Sequence, residues 1–349
     1  MNKTTSRRGD IEFLRFIAAM TIVCHHSMNI QTENRICYGG WIFVEFFFLL
    51  TGYFSTKHMI EKDLTNEKDV LGYVFRKVVS IIPYAYLGIM LEYVHFSLTT
   101  ILTVEQRVKS LVDVIINFLF LNHLGWGGYS FNGPLWYVQG ILLVLPLVLL
   151  VAKKSDIYKY YLCWIIPIML YTVLMIWHGT LQWWTGKFDT TVSCLFRSCA
   201  AMMLGSFIYF VAEYLKRLKI NNCLNALLRV VAYFLFAGTV LIAFHSNAKT
   251  LSMEIVLIFI IVLILFFSTS DWKYGIERGV FSGYINSFCC YLGRLSLPIF
   301  CLHVPVMKWV SYLWNSETFV RKMLISIGIT IVMAVILEGG KRLWLNRKS

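Results

Sequence analysis

Long apolar runs alternate with short polar connections along the whole chain. The runs at 13–28, 78–94, 135–151, 255–270 and 324–337 each approach the ~20 residues that a helix needs to cross a bilayer. Ten such helices can be placed, at 12–30, 41–56, 78–95, 135–152, 160–177, 192–214, 228–245, 251–270, 288–313 and 320–338. The pattern predicts an all-α polytopic membrane protein, with residues 1–349 forming a single membrane-embedded domain.

Residues 111–133 do not fit a simple crossing. They begin apolar and then become rich in glycine, with Gly125, Gly127, Gly128 and Gly133. A full crossing here would invert every later loop and place Lys153 and Lys154 outside. We therefore expect a re-entrant segment beside a cavity, because non-helical backbone at membrane depth must be covered by protein or must line a water-filled space.

Composition and charge support the membrane class. The chain is 58% hydrophobic and 15% charged, with a mean hydropathy of +0.66, whereas soluble domains carry about 25% charged residues. The net charge of +13 does not indicate nucleic-acid binding. Most basic residues fall in alternate loops once the N-terminus is placed in the cytoplasm, as the positive-inside rule requires. We predict a multi-pass protein of the cell (inner or plasma) membrane with both termini cytoplasmic and the lipid bilayer as its surroundings.

The first apolar run contains charges and no small-residue cleavage site follows it, so we read it as a retained span rather than a signal peptide. The nine cysteines lie mostly inside apolar runs without metal-type spacing, which predicts neither a disulfide scaffold nor a metal site.

Several ionisable residues fall inside or beside the predicted spans. Each costs ~2.5–3.5 kcal/mol on insertion scales, so each marks a candidate functional position. The candidates are Arg15, His25, His26, Glu45, Glu92, Asp113, His123, Arg197, Arg294, His303 and Glu338.

Arg15 and His26 form the most informative pair. They are eleven residues apart on one predicted helix, which puts them on the same face with a separation of ~16 Å along the axis. With a cytoplasmic N-terminus, Arg15 lies near the cytoplasmic rim and His26 beyond the midplane. His25 is rotated by ~100° from His26, so the two rings do not face one point.

Three further positions add to this pair. Glu45 is a single carboxylate in an aromatic run; it is either a counter-charge to Arg15 or His26 or a group that raises the basicity of a catalytic histidine. Arg76 and Lys77 stand at the cytoplasmic start of the third span. They either anchor the helix or hold the phosphates of a nucleotide-like donor.

Tryptophans 126, 136, 183 and 184 lie near the predicted outer face. An interfacial aromatic belt accounts for them, and stacking against a sugar ring is the alternative.

Taken together, four segments resemble the integral-membrane acyltransferase-3 family, bacterial enzymes that O-acylate sugars and cell-surface glycans. Residues 7–26 are similar to the opening signature, in which an Arg precedes a His by eleven positions. Residues 43–53 and 132–137 are similar to two internal elements, and residues 292–303 are similar to a late motif with Ser296 and His303. The likeness extends from about residue 8 to residue 340.

The resemblance implies ten spans, an acyl-CoA donor taken from the cytoplasm, and an acceptor hydroxyl modified at the outer face. Carried over by position, Arg15 and His26 are the essential pair and Arg76 belongs to the donor site. The chain departs from the family pattern at Ser80, where many relatives have an Arg, at Glu45, where Asp is common, and at Thr51, where Ser is usual. We expect the extra esterase-like domain of some relatives to be absent.

The sequence thus predicts an O-acyltransferase, acetyl being the expected group, that uses acetyl-CoA as a substrate and holds no permanent cofactor or metal. Its expected site residues are His26, Arg15 and Glu45 for catalysis, Arg76 and Lys77 for the donor, and Trp136, Arg294 and His303 for the sugar or glycan acceptor. Whether His26 acts as general base or carries the acyl group is left open, as is a homodimer. A transporter or flippase is the main alternative, and a receptor-like scaffold is the third.

Overall fold

The computed structural model describes residues 8–31, 37–64, 66–124, 128–182, 189–218, 220–246, 254–268 and 280–346. Within these ranges the chain is helical and contains no strand. The α-helices are α1 Gly9–Gln31, α2 Phe43–Glu61, α3 Glu67–Val79, α4 Ile82–Thr99, α5 Val104–Phe118, α6 Trp136–Lys154, α7 Cys163–His178, α8 Asp189–Lys216, α9 Asn222–His245, α10 Glu254–Phe267, α11 Val280–Leu313 and α12 Phe319–Asn346. The all-α prediction is confirmed.

Each of the ten predicted spans falls on a helix, namely α1, α2, α4 and α6 to α12. Six stretches of the described chain are long and apolar enough to cross a membrane by length and composition alone. They are Gly133–Lys153, Tyr158–His178, Ser193–Lys216, Asn222–His245, Gly283–Leu313 and Phe319–Leu343. Helices α1 and α2 are not among the six; they are the helices that carry Arg15, His26 and Glu45. The architecture is that of a polytopic membrane protein.

The third predicted span, 78–95, covers the last two residues of α3 and most of α4. Helix α3 ends at Val79 and α4 begins at Ile82, with a bend of 46° between them. Asn66 caps α3 by accepting a hydrogen bond from the backbone N–H of Asp69 at 2.8 Å. Pro83 lies in the first turn of α4, where its missing N–H costs nothing. Arg76 and Lys77 therefore lie on α3, before the bend that leads into α4.

The segment predicted to be re-entrant folds back along α4. The Tyr86 hydroxyl, near the start of α4, donates to the Phe118 carbonyl at 3.0 Å. Beyond the turn, the Tyr129 ring lies 4.5 Å from that of Phe96, close to the end of α4. The chain therefore leaves α4 at its C-terminal end, runs back to the start of α4, and then returns to the C-terminal end, as a re-entrant segment requires. Its glycines at positions 125 and 127 lie outside the described residues.

Helices α1 and α11 pack in parallel. The Gly9 N–H donates to Asn286 Oδ1 at 2.8 Å near their starts, and the rings of His26 and His303 meet further along, with centroids 5.0 Å apart. We call the end at which α1 begins the proximal end and the end at which it finishes the distal end. This packing holds the Arg15–His26 face of α1 in place.

Helices α2 and α8 approach each other through two glycines. A Cβ added at Gly52 would lie 2.1 Å from the Met202 carbonyl oxygen, and one at Gly205 would lie 2.3 Å from the Leu49 carbonyl oxygen. Real side chains do not tolerate such distances, so only glycine allows this approach. The contact brings Glu45 of α2 within reach of α8.

Candidate active site

Arg15 is held at the proximal end of α1. Its Nη1 donates to Glu12 Oε2 at 2.8 Å, one turn earlier on the same helix. The Glu12 carboxylate in turn lies against Gly293 of α11, where a Cβ would come within 2.1 Å of Oε2. One carboxylate therefore fixes the guanidinium, while the Arg15 side chain is still 28% exposed. It remains accessible to an anionic ligand.

Lys77 is half-buried on α3, whereas Arg76 is exposed on the same helix. The Lys77 ammonium donates to Ser55 Oγ at 3.3 Å and lies 5.9 Å from the Tyr73 ring centroid. The positive charge of Arg15 acts on it electrostatically. Arg15 and Lys77 are like charges at the proximal end and repel each other. A bound anion would offset this repulsion, so the pair has the character of an anion-binding site.

A small cavity of about 40 Å³ begins at Arg15. It runs between α1, α2, α6 and α11, and its wall consists of Arg15, Val44, Phe47, Tyr137, Ser296, Leu297 and Phe300. Apart from Arg15, Tyr137 and Ser296, this wall is apolar. With this volume the cavity is too small for a sugar ring.

A larger chamber of about 400 Å³ lies toward the distal end. Its wall consists of His25, His26, Ile30, Tyr38, Trp41, Val44, Ser130, Gly133, Pro134, Trp136, Gln182, Arg197, Val304 and Lys308. The re-entrant segment contributes Ser130 to this wall, in agreement with the expectation that the segment lies beside a cavity. Val44 belongs to both walls, so the small cavity and the chamber adjoin at this one side chain.

His26 projects into the chamber from α1 and lies in a group of three histidines. Its ring centroid is 5.1 Å from that of His25 and 5.0 Å from that of His303 on α11. The His25 Nδ1 is 3.2 Å from the Cys37 carbonyl oxygen. Both histidines line the chamber, so the expectation that the rings of His25 and His26 do not face one space is wrong; the chamber is wide enough to touch both.

The expected role of Glu45 as a partner of Arg15 or His26 is corrected by the structure. Arg197 Nε and Nη2 both donate to Glu45 Oε1, at 2.8 and 2.6 Å, and the Tyr171 hydroxyl donates to Oε2 at 2.7 Å. Glu45 is fully buried and the Arg197 side chain keeps 6% of its exposure. The physical reason is the close α2–α8 packing, which brings a guanidinium from α8 to the carboxylate.

Arg197 is also enclosed by two indole rings that line the chamber. Its Cζ lies 5.1 Å from the Trp41 ring centroid and 5.0 Å from that of Trp136. A cation so placed is stabilised by the ring quadrupoles. Trp136 is therefore at the chamber, as expected, and one of its neighbours there is Arg197.

A second ion pair stands at the chamber wall. Lys308 of α11 donates to Glu92 Oε1 of α4, and its ammonium lies 5.9 Å from the Tyr129 ring centroid. Glu92 is fully buried behind the lysine. Both cations of the chamber wall, Arg197 and Lys308, are thus matched by a buried carboxylate.

Two residues expected to bind the acceptor do not belong to the described chamber wall. Arg294 lies about 13 Å before His303 along α11 and is 3.7 Å from Glu338 Oε1, close to α12. His303 is fully buried behind His26. The structure groups Arg15 with Lys77 and His26 with Trp136, and it leaves Arg294 outside both groups.

The sequence identified Arg197 and Glu92 as ionisable residues in spans but gave neither a partner. Lys308, although inside a predicted span, was not singled out. Each pair joins residues far apart in the chain, so one sequence carries no local signal for the pairing. The described residues contain no group of three or more His, Cys, Asp or Glu that could hold a metal ion.

Comparison with known proteins gives one match. A family model described as an acyltransferase domain matches residues 8–339. No curated protein and no solved structure matches the chain. The match covers nearly the whole length and includes Arg15, Lys77, His26 and both cavities. The chain therefore belongs to the acyltransferase-3 family and is a membrane acyltransferase.

Proposed function

We propose that this protein transfers an acetyl group from acetyl-CoA, bound at the proximal end, to a hydroxyl group of a sugar or glycan held in the distal chamber. The proximal end would face the cytoplasm and the distal end the outside of the cell membrane. The observation that carries the proposal is the shared wall at Val44. Val44 lies between the small cavity that begins at Arg15 and the chamber that contains His26, so the two spaces are direct neighbours.

The proximal rim has the chemistry of a donor site. The phosphates of a CoA molecule would be held by Arg15 and Lys77, with Arg76 exposed beside them. The small cavity at Arg15 lies between this rim and the chamber and marks the direction in which the pantetheine arm would enter. The positive-inside distribution of basic residues supports a cytoplasmic location for this end, where CoA esters are supplied.

The distal chamber has the chemistry of an acceptor site. Trp41, Tyr38 and Trp136 supply aromatic surface, and Ser130 and Gln182 supply hydrogen-bonding groups. Ligand sites of this kind combine apolar walls with a few polar groups that orient the ligand. Its volume of about 400 Å³ accommodates a sugar unit. Arg197 and Lys308 are each paired with a carboxylate, so neither cation needs an anionic ligand. An uncharged compound with hydroxyl groups therefore suits the chamber.

His26 is the group placed to perform the chemistry. A neutral imidazole can remove the proton of an acceptor hydroxyl as that oxygen attacks the thioester carbon. It can equally attack the thioester first and carry the acyl group to the acceptor. Arg15 stabilises the donor ~16 Å away along the same helix, a distance that the pantetheine arm has to span.

The test uses purified full-length protein in proteoliposomes with acetyl-CoA labelled in the acetyl group. We expect label on an added sugar acceptor and release of free CoA. His26→Ala should reduce the rate by about 10²- to 10⁴-fold, the range for loss of a general base. The matched control His245→Ala, at an exposed histidine of α9, should leave the rate unchanged.

Transfer that persists in His26→Ala would overturn the assignment. Substrate-dependent flux without CoA release would support a transporter instead. Restricting acetyl-CoA to the side of the vesicle that carries the N-terminus tests the orientation, since transfer should require the donor on that side alone.

A further inference from the structure

His303 lies on α11 in contact with His26 but out of contact with the chamber. Its side chain is fully buried, and it is absent from the chamber wall as far as the described residues go. His26, by contrast, is partly exposed and forms part of that wall. With ring centroids 5.0 Å apart, His303 can act on His26 and not on a molecule held in the chamber.

The tautomer of His303 is fixed by its own helix. Its Nδ1 is 2.8 Å from the Phe300 carbonyl oxygen and 3.1 Å from that of Ile299. A carbonyl oxygen only accepts hydrogen bonds, so Nδ1 carries the hydrogen. In the neutral ring, Nε2 must then present a lone pair.

That lone pair has no partner. His303 Nε2 is buried and makes no hydrogen bond. Buried polar atoms are nearly always hydrogen-bonded, and an exception in a native protein calls for a reason such as a catalytic role. His303 therefore has an unused acceptor nitrogen on a ring whose centroid lies 5.0 Å from that of His26.

We propose that His303 is a positioning residue for His26, because its Nε2 accepts a hydrogen bond from a ring N–H of His26 during the reaction. This holds His26 with its other nitrogen unprotonated and directed at the chamber. No hydrogen bond joins the rings in the resting structure; such bonds are often long in unliganded enzymes and tighten in the complex. The inference rests on the proposed role of His26.

The same hydrogen bond serves both chemical routes. In the base route, the acceptor O–H gives its proton to the free nitrogen of His26, a C–O bond forms, the C–S bond breaks, and CoA leaves with the proton. In the acyl-carrier route, that nitrogen forms a bond to the acyl carbon as the C–S bond breaks and CoA leaves as a thiolate. The acceptor oxygen then bonds to the acyl carbon, the C–N bond to His26 breaks, and the acceptor proton passes through His26 to the CoA thiolate. In both routes His26 becomes positively charged while its other N–H points at His303. An acceptor there stabilises the charged ring, as the carboxylate does behind the histidine of serine hydrolases.

The test compares His303→Leu, which removes the acceptor, with His303→Gln, whose side-chain oxygen can replace it. We expect kcat to fall about 10²-fold in His303→Leu, with little change in KM for either substrate, and to recover at least about tenfold in His303→Gln. His245→Leu, at an exposed histidine, is the matched control.

The pH profile separates positioning from packing. The ionisable groups around His26 are His25 on its own helix, Glu45 from α2, Arg197 from α8, Tyr38 from the turn before α2, and His303 and Lys308 from α11. Removing the acceptor at His303 should move the acidic limb of the kcat/KM profile to lower pH, because the charged ring of His26 is then less stable. A merely structural role would leave that limb in place.

A third measurement needs no variant activity. Nitrogen NMR of the wild-type protein with labelled histidine, assigned with His303→Gln, should show His303 protonated at Nδ1 and bare at Nε2. A proton on Nε2 would overturn the inference, even if His303→Leu failed to fold. A His303→Leu variant with the kcat and pH profile of the wild-type protein would also overturn the inference. If His26→Ala is inactive while His303→Leu is fully active, only this inference fails; if His26→Ala is active, the proposed function fails.

Discussion

Removing the charge of Glu45 should destabilise the protein far more than an equivalent change at the surface. In Glu45→Gln, Arg197 keeps its positive charge and loses its counter-ion. The carboxylate is fully buried and the guanidinium keeps 6% of its exposure, so solvent screens the pair very little. Exposed ion pairs contribute about 0–1 kcal/mol, whereas breaking a buried pair costs about 3–5 kcal/mol. We therefore expect Glu45→Gln to lower the free energy of unfolding by about 3–5 kcal/mol.

The assay is equilibrium unfolding in mixed detergent micelles, followed through a double-mutant cycle. Glu45→Gln with Arg197→Gln should cost clearly less than the sum of the single changes, since the double variant leaves no unpaired charge. Glu61→Gln is the matched control on the same helix, because Glu61 is exposed and lies 3.6 Å from Lys57. It should change stability by less than about 1 kcal/mol.

A Glu45→Gln variant as stable as Glu61→Gln, or an additive cycle, would refute the reasoning. The first result would mean that water reaches the pair through the chamber. The second would mean that Glu45 and Arg197 act independently of each other.

The remaining predictions concern helix packing and the donor site. Gly52→Ala should lower stability by at least about 1–3 kcal/mol, because its methyl would meet the Met202 carbonyl; thermal unfolding measures this, and Gly238→Ala, with nothing within 4 Å of its Cβ, should not be destabilised. Lys77→Met should raise the KM for the acyl-CoA donor about tenfold with kcat nearly unchanged, as expected for loss of a charged contact worth about 1.4 kcal/mol. Lys68→Met, at an exposed position of the same helix, should leave that KM unaltered; an equal rise in both variants would show that only the net charge of α3 matters.

The arrangement of the helices could largely be predicted from the sequence. Apolar runs near the length of a bilayer span carry a strong signal, so each of the ten predicted spans coincides with a helix. The break between α3 and α4 was missed because Val78 and Val79 continue the apolar run of the next helix. The bend between α3 and α4 is the feature that separates the two helices.

The site was predictable where it depends on one helix. The spacing of Arg15 and His26 fixes their common face by helical geometry alone. The partner of Glu45 was not predictable, because it lies 152 positions away on α8 and depends on the close approach at Gly52 and Gly205. The same holds for Lys308 and Glu92, which are 216 positions apart.

The adjoining cavities at Val44 have a consequence for the membrane as an electrical barrier. The small cavity has a volume of about 40 Å³, whereas one water needs roughly 10–15 Å³ of such space. It therefore holds only a few waters in a largely apolar wall that ends at the Arg15 charge. In the proposed route an acyl group crosses this point while the CoA head stays on one side and the glycan on the other. The enzyme can then modify the outer surface of a cell without opening a conducting pore, so the proton and ion gradients across the membrane are preserved during turnover.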